Sequence, residues 1–260
     1  MPFTLSHLAV VLPLRRGPLV VSALAAGSVA PDLPYVLPQA TSADWGWYSN
    51  YNLTYTHQLG TGMLAGTITA VLLVALFHHL LKRPLIALLP PAAAARLTGA
   101  AERFNWAGPQ QFAWVAVSAA TGVLTHLAWD GLVHDNGAAW WSPLPDTRSV
   151  TEGLWWASTL VGALALAVWL HRWWRNTPRG RSGTLRPAVR WTTLAALVVA
   201  GMLGAVYQVM KHGDNPLDAL RSIAVLRGAV SGGMSGLGAA VLFYAILWRI
   251  RWRSMSAPVA

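Results

Sequence analysis

The stretch LGTGMLAGTITAVLLVALFHHLL, residues 59–81, decides the class of fold. It contains no Asp, Glu, Lys or Arg. A helix that crosses a bilayer needs about 20 mostly apolar residues in a row, and a buried helix of a soluble protein rarely stays uncharged for so long. Four further stretches meet or approach the same standard: 111–133, 153–170, 191–210 and 229–248. In lipid, every backbone N–H and C=O must be satisfied within the segment, which leaves the helix as the economical solution for such runs. The expected fold is all-α: a polytopic transmembrane helix bundle with about five full spans. A short helical hairpin or a sixth span precedes them.

Composition agrees. Of the 260 residues, 55% are hydrophobic and 11% are charged, against roughly 25% charged in an ordinary soluble domain. There is no cysteine, which excludes disulfides and thiolate metal sites. The formal net charge is +10. In a soluble chain this would suggest nucleic acid; here the basic residues lie between apolar segments, so no nucleic-acid partner is expected.

Those residues set an orientation. Call the C-terminal end of segment 59–81 side A. Side A then holds Lys82, Arg83, Arg96, Arg103, Arg172, Arg175, Arg179, Arg181, Arg186, Arg190, Arg249, Arg251 and Arg253, which is 13 of the 19 basic residues. Arg148, Lys211, Arg221 and Arg227 fall on side B, and Arg15 and Arg16 depend on how the N-terminus threads. Cytoplasmic loops carry the excess of Lys and Arg. The expectation is an integral protein of the inner (cytoplasmic) membrane with side A and the C-terminus in the cytoplasm. No internal repeat or second domain is evident. Residues 1–260 are expected to form a single membrane domain, with 1–135 carrying the motifs and 153–250 supplying three further spans.

Residues 1–35 admit three threadings. Apolar runs 8–14 and 18–30 flank Arg15-Arg16-Gly17-Pro18, and each is too short to span alone. They form a hairpin entering from side B, or a single crossing over 18–37, or a signal peptide cut near Ser28-Val29-Ala30. The hairpin is preferred, with 1–35 retained. Elsewhere, a short surface helix is expected around 91–104. Another is expected in loop 211–228, with Asn215 as N-cap and Pro216 at the first helical position. Glycines 62 and 66, and 228, 232 and 236, are spaced for close helix contact.

Ionisable groups inside or beside the spans are the informative ones. His126 and Asp130 are four apart and share a helix face toward side B. His57 precedes segment 59–81 and lies at the same membrane face, because the two helices run antiparallel through a side-A loop. Asp32 lies in Ala30-Pro31-Asp32-Leu33-Pro34-Tyr35, where the prolines favour an extended or turn geometry at a helix end. In the hairpin threading His7 and Asp32 both return to side B. Three imidazoles and two carboxylates in a low-dielectric site need an offset for their burial. A divalent metal supplies it; nitrogen and oxygen donors suit zinc first, and manganese or iron as alternatives. Eight of the nine acids also fall on side B. The plainer alternatives are a His126–Asp130 hydrogen-bonded pair, Asp32 as a helix cap, a His/Asp relay for ions, or haem on His57 and His126.

Four motifs carry a resemblance: MPFTLSH at 1–7, GSVAPDLPY at 27–35, THQLG at 56–60 and THLAWD at 125–130. They resemble a bacterial family of multi-pass membrane proteins defined only as a domain of unknown function. That family is similar in motif order to the membrane-bound metal-dependent hydrolases, and more distantly to the helical zinc-dependent phospholipase C and its nuclease relatives. By position, the resemblance implies His7, Asp32, His57, His126 and Asp130 as metal ligands. There are departures: Gln58 stands where the hydrolases usually have Ser, and the chain begins Met1-Pro2 where the phospholipases use an N-terminal Trp ligand. One or two metals are therefore expected rather than three.

The function so implied is metal-dependent hydrolysis of a lipid or lipid-linked phosphoester at the extracytoplasmic face. Asp32 or Asp130 would be the catalytic base, with Trp140 and Trp141 forming an apolar rim. No Gly-x-Ser-x-Gly or phosphate loop points to another enzyme class. The alternatives are a metal-stabilised binding or assembly protein without catalysis, or a small ion or solute carrier. The sequence does not choose between monomer and homo-oligomer.

Overall fold

The computed structural model describes residues 4–36, 55–102, 104, 106, 108–133, 148–180, 183–212 and 223–256. All regular structure among them is helical. After a 3-10 turn at Thr4–Ser6, α1 covers His7–Val11 and α2 covers Val21–Val29. A second 3-10 turn, Ala30–Asp32, leads into α3 (Leu33–Val36). Then come α4 (Leu59–Leu76), a π-helical turn (Phe77–Leu81), α5 (Lys82–Leu88) and α6 (Pro91–Glu102). Four long helices follow: α7 (Gly108–Val133), α8 (Arg148–Asn176), α9 (Pro187–His212) and α10 (Ile223–Ser256).

Among the described residues, five segments are long and apolar enough to cross a membrane: Leu59–Leu88, Gly108–Gly131, Glu152–Asn176, Pro187–Lys211 and Gly228–Arg251. The chain is a multi-pass membrane protein. The first span runs past residue 81, where the apolar sequence alone would end it. Pro84 has no N–H to donate one turn back, and the π turn just before it changes the bonding register there. Large apolar side chains on the outer faces, such as Leu64, Leu160, Leu203 and Phe243, are exposed as lipid-facing residues should be.

The chain divides by its contacts into two compact units: Met1–Pro34 with Ala40–Val74 and Asn105–Thr177, and Tyr35–Gln39 with Ala75–Phe104 and Pro178–Ala260. In the second unit α9 and α10 pack along a glycine seam. A Cβ on Gly204 would lie 2.2 Å from the Gly232 carbonyl oxygen, and one on Gly236 would lie 2.5 Å from that of Ala200. Close backbone approach of this kind is how membrane helices gain van der Waals contact where no hydrophobic force drives them together. Gly228 differs from expectation, because no atom among the described residues comes within 4 Å of its Cβ position. Helix α6 is packed rather than purely superficial, with Ala94, Ala95 and Arg96 buried.

The first unit bears the motifs. Residues 4–36 fold as a hairpin of two short helices, α1 packing on α2. Gly17 makes the reversal with φ +72°, a conformation that costs glycine little. Asp32 closes a 3-10 turn rather than an extended segment. Pro31 and Pro34 each fall at the start of a helical turn, where the missing N–H has no intrahelical partner to lose. Helix α2 packs against α7 through glycines on both sides. A Cβ on Gly27 would lie 2.1 Å from the Ala119 carbonyl oxygen, and one on Gly122 would lie 2.3 Å from that of Leu24. Helix α8 closes on the N-terminal turn, where a Cβ on Gly162 would lie 2.6 Å from Ser6 Cβ. Asn215 and Pro216 of the helix expected in loop 211–228, residues 134–147 with Trp140 and Trp141, and the acids Asp44, Asp135, Asp146, Asp214 and Asp218 lie outside the described residues.

Candidate metal centre

Each candidate ligand arrives by a different route. His7 opens α1, and Asp32 closes the 3-10 turn after α2. His57 lies in the turn that leads into α4, while His126 and Asp130 share a face of α7. The turn at 55–58 is held from below. Gly62 N–H donates to the Gln58 carbonyl at 2.8 Å. A Cβ on Gly62 would lie 2.5 Å from the Thr56 carbonyl oxygen. That glycine therefore serves the loop that presents His57, where its spacing had suggested contact with another helix. Gly66, by contrast, does face a neighbouring helix, at Val123.

All five side chains are buried: His126 is 0% exposed, His7 and Asp32 2%, and His57 and Asp130 7%. His57 Nε2 lies 3.4 Å from His126 Nε2. It lies 3.4 Å from Asp32 Oδ1 and 3.5 Å from Asp130 Oδ2. His126 Nε2 lies 3.5 Å from Asp32 Oδ1 and 3.4 Å from Asp130 Oδ2. One ligand atom from each of Asp32, His57, His126 and Asp130 lies within 4.8 Å of all the others. A zinc ion binds N and O donors at about 2.0–2.1 Å, so a tetrahedron around it has edges of about 3.3–3.4 Å. Five of the six edges thus match a tetrahedral ion within about 0.2 Å.

The protonation pattern agrees. The Ser28 carbonyl can only accept, so at 2.9 Å it takes the Nδ1 proton of His126. In the neutral ring, Nε2 then carries a lone pair directed into the cluster. Thr56 Oγ1 lies 3.0 Å from His57 Nδ1 and can orient that ring in the same way. An outer partner on the far nitrogen is the usual companion of a metal-ligating histidine. Both oxygens of Asp32 lack a hydrogen-bond partner among the described residues. An uncompensated buried carboxylate costs several kcal/mol, and a cation at the centre of these four groups would remove that cost. Asp32, His57, His126 and Asp130 could hold a metal ion.

His7 stands beside this group. Its ring stacks on that of His126 with centroids 4.1 Å apart. Its Nε2 lies 3.4 Å from Asp130 Oδ1, the oxygen not turned to His57 and His126. Burial, with His126 beside it, holds the His7 imidazole down at about 4, so the ring is neutral at ordinary pH.

A family model described as Domain of unknown function (DUF4184) matches residues 1–246. The chain belongs to that family. No curated protein and no solved structure matches it. The DUF4184 match spans both compact units, so it covers the glycine seam of α9 and α10 as well as the histidine-bearing half. Sequence reasoning missed two supporting elements of this DUF4184 site. Ser28 acts through its backbone, which leaves no side-chain signature. Thr56 had a signal available, since both Thr56-His57 and Thr125-His126 place a hydroxyl before the histidine. Only the first points its oxygen at the ring; Thr125 Oγ1 donates to the Gly122 carbonyl instead.

Proposed function

We propose that this protein is a metal-dependent hydrolase, embedded in the membrane and acting on a lipid or lipid-linked phosphoester. The observation that carries the reading is a surplus. Five metal-type side chains converge where four are enough to close a tetrahedral ion. A catalytic centre needs a group that can leave the first coordination sphere or act from beside it, and the fifth side chain would supply one. Zinc suits the mixed imidazole and carboxylate donors, with manganese or iron as alternatives.

When bound, a divalent metal supplies Lewis acidity and activates water near neutral pH. The residues would divide the remaining work. His57 and His126 would hold the ion, each with its Nε2 on the cluster side. Asp32, whose oxygens have no hydrogen-bond partner among the described residues, would be the carboxylate freest to change role and accept the proton of the attacking water. Asp130 would offer the ion one oxygen and keep the other toward His7, whose neutral ring would position that carboxylate. The water oxygen forms the new bond to phosphorus while the ester oxygen departs and takes up a proton. A site built into a membrane protein would suit an amphiphilic substrate.

Purified protein loaded with zinc or manganese is expected to turn over at least one member of a panel of phospholipids and lipid-linked phosphates. Asp32→Asn distinguishes the two roles of that carboxylate. A base keeps its metal and loses about 10²–10⁴-fold in rate, whereas a ligand loses the metal as well. The near-tetrahedral spacing of four protein atoms favours a second reading, a structural metal in a non-catalytic membrane protein. That reading wins if no substrate is turned over while the ion stays bound with every position filled by protein.

The same proposal assigns the site to the extracytoplasmic face of the inner membrane, from the 13 basic residues of side A. A reporter active only outside the cytoplasm, fused after Ala260, should stay silent. Strong activity from that fusion would invert the topology and move the site to the cytoplasmic face.

A further inference from the structure

An open groove of about 670 Å³ runs along α8 in the first unit, with none of the five cluster residues in its lining. That is within the range of about 300–1,000 Å³ typical of small-molecule sites. Its lining on α8 is Val161, Leu164, Ala165 and Val168, followed by Trp169, Arg172, Trp173 and Asn176. These positions advance by three and four, so they form one stripe along the helix. The stripe changes character along its length: aliphatic at first, then indole, guanidinium and amide. From outside α8, Arg15 at the hairpin turn completes the groove. Its guanidinium carbon lies 5.7 Å from the centre of the Trp169 ring, within cation–π range. No acidic residue among the described residues lines the groove.

We propose that this groove binds an anionic glycerophospholipid. The phosphate would lie between Arg15 and Arg172, with one acyl chain along Val161–Val168. Three features favour a lipid over a free anion. The aliphatic half is continuous with the polar half on the same face. The helix is a membrane span with its outer side chains exposed, including Leu160 and Leu164. Trp169 and Trp173 stand at the junction, and indoles concentrate at the level of lipid headgroups. Two guanidiniums, with no acid in the described lining, fix the sign of the headgroup. A guanidinium also offers a fork of donors that matches phosphate oxygens better than an ammonium does.

The test is native mass spectrometry of the full chain in detergent. The protein is titrated separately with phosphatidylglycerol, phosphatidylcholine and inorganic phosphate. Phosphatidylglycerol should bind more tightly than phosphatidylcholine, by about five-fold for each arginine, the order a basic residue gains at an anionic membrane surface. The double variant Arg15→Gln/Arg172→Gln should lose that preference. Arg175→Gln, on the same helix but outside the lining, should keep it. Ala165→Trp fills the aliphatic half and should weaken both lipids. A melting curve for each variant shows whether it is folded; Ala165→Trp and Arg175→Gln are read independently if the double variant is not. Equal binding of the two lipids by the wild type would overturn the proposal. So would a preference that survives loss of both arginines, or saturation of the groove by inorganic phosphate alone.

Discussion

Protein carrying His126→Ala is expected to purify without metal, while the wild type purified in the same way, with no metal added, retains it. The expected loss of affinity exceeds 100-fold, beyond the roughly 10–100-fold that removal of an outer-shell partner costs. His126 is the best choice for three physical reasons. It is fully buried, so solvent cannot substitute for it. Its Nε2 forms three of the five short edges of the cluster, to His57, Asp32 and Asp130. Its ring is held from behind by the Ser28 carbonyl, so the wild-type geometry is set in advance of any ion. Elemental analysis of detergent-purified protein is the measurement. A wild type free of metal, and unable to take up zinc or manganese, would remove the centre altogether. A His126→Ala protein with undiminished metal would place the ion elsewhere.

The second large effect is expected far from any ligand. Gly122→Val should destabilise the protein by more than the 1–3 kcal/mol typical of overpacking. The new Cβ would meet the Leu24 carbonyl at 2.3 Å and the Gly27 Cα at 3.0 Å, and backbone atoms have no rotamer by which to move aside. The only relief is to part α2 from α7. That withdraws both the Ser28 carbonyl and Asp32 from His126, so metal should be lost together with stability. Gly153→Ala, at a position where nothing lies within 4 Å among the described residues, is the matched control. Thermal unfolding in detergent and metal content are read on the same samples. If Gly122→Val melts with the wild type and keeps its metal, the glycine crossing does not position the site.

The spans were legible because the bilayer imposes a length and a polarity that few other environments require. Stretches such as 59–81 and 191–210 satisfy both without help from tertiary contacts. The convergence of His57 with His126 followed from helix period and antiparallel topology. The route of residues 1–36 did not follow in the same way. Two runs too short to cross alone are compatible with several threadings, and what distinguishes them is the fit of Gly27 against Gly122 across nearly a hundred residues of chain. A glycine chosen for close contact looks the same in sequence as one left in open space. Gly236 and Gly228 belong to one regular stripe, and only the first has a backbone carbonyl against it. The length of the first span was also hidden, since Pro84 argues for a helix end and the π turn that accommodates it has no compositional mark.

One contact of the site has a consequence for how it can be lost. His126 is aligned by a carbonyl, and every residue type carries one. No exchange of side chain at position 28 deletes that acceptor; Ser28→Ala would leave it where it is. By contrast, each ligand can be erased by a single substitution. Inheritance therefore has two unequal handles on the centre. Its candidate donors are written in four side chains open to drift, while the alignment of its most enclosed ring depends on the course of a backbone that only a change in helix packing can redirect.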